Sequence, residues 1–163
     1  MVKVIFESGA SEQLRNAIAY LVVEADRLGV QLTRTGLVKL LFLADLRAKE
    51  QLGSTISGAT YKYYTYGPFA PEIIDAIAEM DGREIVEETR PHPTDTDAQV
   101  AYHYAPGKSD LPSEALDANQ RRIIREVLHE YGALPLQTLL RHVYDTEPMR
   151  DAQPLQVVLN DAA

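Results

Sequence analysis

Residues 36–53 read GLVKLLFLADLRAKEQLG, and between Leu37 and Leu46 the run has almost no polar face. A helix that is apolar nearly all round lies inside a domain rather than on its surface. Gly53 closes it, because glycine tolerates the left-handed conformation found just past a helix end. The chain continues STISGATYKYYTYGPFAPE over 54–72 and IIDAIAEMD over 73–81. The Tyr-rich segment 60–66 has strand composition, as one strand or with a tight hairpin about Ser57-Gly58, and Gly67-Pro68 ends it. That turn is expected to bring both Tyr66 and Phe69 to the central helix. Pro71, pre-set for a first helical position, opens another helix, and Glu72 faces the positive end of its dipole. A buried helix at about 35–52, an aromatic strand and a Pro-started helix therefore hold the core.

Working outward toward the N-terminus, Ser11 is a good N-cap. Leu14, Ile18, Leu21, Val22, Ala25 and Leu28 then recur at helical spacing up to Gly29. Thr33 or Thr35 caps the central helix. Toward the C-terminus, Gly82 ends the Pro71 helix. Ile85 to Arg90 and Val100 to Tyr104 alternate around a polar turn, Pro91 to Asp97, which reads as a hairpin. Ser113 with Asp117 begins a long helix carrying Leu116, Ile123, Ile124, Val127, Leu128 and Tyr131 on one side, and Gly132 stops it. Pro135 starts a last helix with Leu136, Leu139, Leu140 and Val143. Beyond Pro148 the tail reads as a short helix or a loosely packed end. The fold class expected is mainly α, a compact single domain of about five helices with one or two small antiparallel β-hairpins.

With 163 residues, 45% of them hydrophobic, the chain suits one domain with a sizeable core. It has no cysteine, which excludes disulfides, thiol catalysis and cysteine-based metal sites. Met1 to Phe6 is too short for a signal sequence, and no apolar run approaches a membrane span, so a cytoplasmic location is expected. The net charge of −8 argues against broad electrostatic binding to nucleic acid. Segment 57–110 holds four basic residues against ten acidic ones. Such a section either solvates an exposed surface or steers a basic partner.

Catalytic signatures are missing. The four histidines, His92, His103, His129 and His142, have no metal-ligand spacing, and neither a phosphate-binding glycine loop nor a nucleophile elbow occurs. No cofactor and no enzymatic activity are expected. Asp45 stands out as an acid within the apolar part of the central helix, where a charge must be paired or shift its pKa. Lys49, one turn on, or a tyrosine hydroxyl from the strand could partner it, and a structural role is favoured over catalysis. Strand alternation puts Tyr61 and Tyr63 on one face and Tyr64 and Tyr66 on the other. One pair can be core, and the other is then free for an interface. Arg121, Arg122 and Arg125 form the one basic cluster, which pairs with Glu126 and other acids or contacts a phosphate.

The run KLLFLAD (Lys39 to Asp45), Gly53, and YTYGPFAPE (Tyr64 to Glu72) resemble the Panacea domain, the SocA-like antitoxin family. The resemblance covers residues 33–82 and extends to about Met149, which makes 1–149 the antitoxin-like domain and 150–163 a tail. Lys39, Asp45, Gly53, Tyr66, Gly67, Pro68, Phe69 and Pro71 are the positions that carry it. Tyr64 stands where the family often has Trp, and Phe69 where Val is usual. Both keep an apolar body, so the fold follows while partner specificity need not. The resemblance implies a protein-binding module that neutralises a cognate toxin by direct contact or presents it to a cytosolic protease.

Tyr61, Tyr63, Tyr64, Glu72, Asp75 and Glu79 are the expected partner-binding residues. The three acids share one side of their helix opposite Ile73 and Ile77, which suits a basic protein partner. An alternative is a transcriptional or nucleic-acid-binding protein, since a helix pair followed by a hairpin can resemble a winged helix.

Overall fold

A computed structural model describes residues 11–91, 100–109 and 115–162. Six helices and six short strands are assigned among them. The turn expected at Pro91 to Asp97, with His92, and the Ser113 start signal fall largely outside the described residues.

Helix α1 (Glu12–Arg27) begins at Ser11, whose side chain accepts from the Leu14 amide. Its inner stripe is Leu14, Ile18, Leu21, Val22 and Ala25, as the spacing requires, while Leu28 caps the helix and is partly exposed. A two-residue strand β1 (Leu32–Thr33) leads into helix α2 (Arg34–Leu52). Thr33 is the N-cap, its hydroxyl accepting from the Gly36 amide, and Gly53 ends the helix at φ 87°. Every α2 residue from Gly36 to Asp45 is buried, and α1, α4, α5 and both sheets pack around it. Residues such as Leu37, Leu41 and Phe42 lose all water contact, worth about 1.5–3 kcal/mol each.

Strands β2 (Tyr61–Tyr64) and β3 (Gly67–Phe69) form a hairpin, followed by α3 (Pro71–Met80). A second hairpin joins β4 (Ile85–Pro91) to β5 (Val100–Pro106). Helices α4 (Ala118–Tyr131), α5 (Leu136–Tyr144) and the single turn α6 (Glu147–Arg150) come next, and β6 (Val157–Leu159) is last. Asp117 and Gln120 make a reciprocal capping box at α4, so Asp117 is its N-cap. Leu139 and Val143 bury as expected, but Leu136 is 45% exposed at the first turn of α5.

Each hairpin recruits a third, distant strand. The sheet orders are β1-β5-β4 and β3-β2-β6. The expectation of a loose tail is therefore corrected: β6 pairs antiparallel with β2, and Leu159 is buried. Asp161 ties the end down further, accepting from the Thr55 amide (2.6 Å) and the Thr55 hydroxyl (3.0 Å). The succession α1, β1, α2, α3, β4, β5, with β1 on the outer side of β5, has the connectivity of a winged helix. The β2–β3 hairpin is inserted between its second and third helices.

Candidate partner-binding site

The β2–β3 hairpin has the register Tyr64↔Gly67, so Thr65 and Tyr66 form the loop. Gly67-Pro68 is not the turn; it is the start of β3. Neither loop residue has positive φ; the positive φ falls on Gly67, at 104°, a conformation open to glycine. Proline fits here because β3 is an edge strand, with no neighbour needing its missing N–H.

This register sorts the tyrosines. Tyr61 is fully buried, its ring edge-on to Phe42 at 5.2 Å, which corrects its assignment as a partner contact. Tyr63 is half-buried against Tyr144 of α5 (6.2 Å between centroids), and Tyr64 meets Phe69 edge-on at 5.5 Å. Tyr66 sits in the loop rather than a strand and is 74% exposed, so it does not reach the central helix as expected. Phe69 does pack against the core.

The acidic stripe on α3 is mostly spent within the chain. Glu72 accepts from the Thr60 amide (2.9 Å), and Glu79 pairs with Arg15 of α1 (3.4 Å). Asp75 is the exposed member. Arg122 pairs with Glu126 at 3.0 Å as anticipated, and Arg125 donates to the Tyr20 hydroxyl.

Asp45 is buried, and its partners come from the loop after α2 and from β2. Oδ1 accepts from the Ile56 and Ser57 amides (2.8 and 2.9 Å), and Oδ2 from the Ser57 hydroxyl and the Tyr61 hydroxyl. Lys49 is not among them; it donates to the Asp161 carbonyl instead. Burial pushes the Asp45 carboxyl up to about 6, against the pull of these hydrogen bonds. With both oxygens filled by structural donors, Asp45 fixes the 53–60 loop and leaves no lone pair for a substrate.

Lys39, on the same helix, is buried to 3% exposure. Its Nζ donates to the Pro68 carbonyl at 2.9 Å, and no ion pair to it forms among the described residues. Desolvation lowers its ammonium to about 8. With Tyr64, Thr65, Tyr66, Gly67 and Phe69 it lines an open cavity of about 290 Å³. Sequence reasoning placed Lys39 in a motif but gave it no chemistry. The signal was a lysine standing alone in a helix with no polar face. Glu24, buried on α1 and paired with Arg27 at 2.7 Å, was missed as well.

Among the described residues, no group of three or more His, Asp or Glu could hold a metal, and no helix could cross a membrane. A mainly helical domain displaying an aromatic hairpin, its buried acid committed to structure, is the class defined by fold and site. Residues 37–148 match the family model for the antitoxin SocA-like, Panacea domain, and the chain belongs to that family. No curated protein matches the chain.

Proposed function

We propose that the protein is an antitoxin that neutralises a cognate toxin by direct contact through the β2–β3 hairpin, without catalysis of its own. Family membership supports the toxin as partner. The observation that carries the surface is Tyr66, 74% exposed at the hairpin loop beside the Tyr64–Phe69 cavity. Exposed tyrosine on a rigid scaffold is a common interface anchor. Tyr63 and Tyr64 flank it, and Asp75 on α3 remains available to steer a basic partner.

The test is co-expression with the product of the neighbouring gene, scored for rescue of its toxicity. Tyr66→Ala should abolish rescue while shifting stability by less than about 0.5 kcal/mol. Undiminished rescue by that variant would move the contact elsewhere. Rescue that disappears only in a protease-deficient host would replace direct neutralisation with presentation of the toxin to a cytosolic protease.

The winged-helix connectivity favours a second reading, nucleic-acid binding, and fold alone does not decide it. The chemistry of α3 weighs against it. In a winged helix the third helix enters the groove, and here it reads PEIIDAIAEM, with three acids and no base. Such a helix repels phosphate. Salt-dependent binding to duplex DNA would reverse this assignment.

A further inference from the structure

A lysine ammonium has three N–H donors, and the Pro68 carbonyl takes one. Burial without enough partners is costly, and the other buried charged groups among the described residues avoid it. Buried Glu24 has Arg27, and buried Asp45 has four donors. Lys39 is the exception, and it borders a cavity whose other walls are Tyr64, Thr65, Tyr66, Gly67 and Phe69. Aromatic and backbone walls supply apolar contact, and the one formal charge among the lining groups is positive.

We propose that this cavity receives an acidic side chain of the partner, an Asp or Glu set among apolar residues, whose carboxylate pairs with the Lys39 Nζ. Charge complementarity selects that occupant: a carboxylate supplies the missing counter-charge, and its apolar neighbours cover Tyr64, Tyr66 and Phe69. The identity of the partner as a toxin rests on the function proposed above; the carboxylate chemistry does not. The titratable groups around Lys39 are Tyr64 and Tyr66 from the hairpin and Tyr144 from α5, which approaches Gly67 from the same side as the Lys39 Cε. None of them is a carboxylate, and the lowered ammonium is due to desolvation alone. A bound carboxylate holds the proton on Lys39, so affinity falls as pH rises through about 8.

The probe is phenylacetate, with phenylacetamide as its uncharged counterpart, titrated into the full chain while the carbon-bound proton resonances of Thr65 to Phe69 are followed by 1H–13C NMR. Phenylacetate should give saturable shifts in the millimolar range at pH 6.5, and phenylacetamide none. The affinity should drop more than about tenfold at pH 9.5, where little of Lys39 carries its proton. Lys39→Met, of matching length, should abolish the shifts while keeping the helical circular dichroism; Lys39→Gln serves if the Met variant does not fold. Three results would each overturn the proposal: no saturable shift in the wild type, equal shifts from the amide, or shifts retained without Lys39. Failure of toxin rescue by the wild type, with these shifts present, would instead remove only the toxin as the partner.

Discussion

Asp45 and Lys39 lie on one helix, six residues apart, and both are buried, yet the chain treats them in opposite ways. Around Asp45 the 53–60 loop and β2 converge to deliver two amides and two hydroxyls. Around Lys39 the chain delivers one carbonyl and an open cavity. A buried charge with its partners in place is part of the scaffold. One left short of partners raises the free energy of the isolated fold, and a ligand can recover that cost.

The largest expected effect comes from breaking the first arrangement. Asp45→Ala strands four donors in the interior and should cost about 3–5 kcal/mol, measured by urea denaturation. A loss below about 1 kcal/mol would mean that water reaches the site and that the contrast is false. Lys39→Met should act with the opposite sign. Removing a desolvated charge should stabilise the fold by about 1–2 kcal/mol at pH 7, after allowing for the lost bond to Pro68. A destabilised Lys39→Met protein would put Lys39 in the scaffold beside Asp45.

The pH dependence separates the two sites further. The folded Asp45 carboxyl is raised from 3.8 to about 6, so the folded state holds more protons there than the unfolded chain. Its contribution to stability falls as pH rises from about 4 to about 6, by an amount on the order of 2 kcal/mol. Lys39 is lowered from 10.5 to about 8, so the folded state holds fewer protons in that window. Its contribution recovers as pH rises from about 8 to above 10. The advantage of Lys39→Met over the wild type should therefore shrink between pH 7 and pH 10; a constant difference would remove Lys39 titration from the account.

How much of this was legible follows from which signals are local. The α2 helix, its Thr33 cap and its Gly53 stop could be read because helical period and cap chemistry are written in adjacent residues. The partner of Asp45 was half read: a strand tyrosine was foreseen, but the two amides come from a loop whose path no periodicity encodes. Gly67-Pro68 was misread because the pair usually marks a turn. Only the sheet order, with β3 at an edge, makes proline acceptable within a strand. Alternation gave Tyr66 a strand face, whereas the register placed it in the loop. Strand β6 was illegible, since its pairing with β2 is a long-range choice that three residues of sequence cannot announce.

A further stability measurement tests the corrected hairpin geometry. Gly67→Val forces a β-branched residue to φ 104° and should cost more than about 1 kcal/mol. A Cβ there would meet the Lys39 Cε and the Tyr144 ring at 3.6–3.7 Å, ordinary contact distance, so backbone strain and not crowding is the source. An unchanged thermal midpoint would mean that the hairpin is soft enough to relax, and the cavity beside Lys39 with it.

Strand β6 bears on the order of events during synthesis. Tyr63 exchanges backbone hydrogen bonds with Leu155 and Gln156, residues translated long after the hairpin itself has left the ribosome. Until they emerge, β2 has β3 on one side and an open row of amides and carbonyls on the other. This aromatic edge is a template for any extended segment nearby. Residues 155–159 are the segment of this chain that covers that edge, and they can do so only once they have been translated.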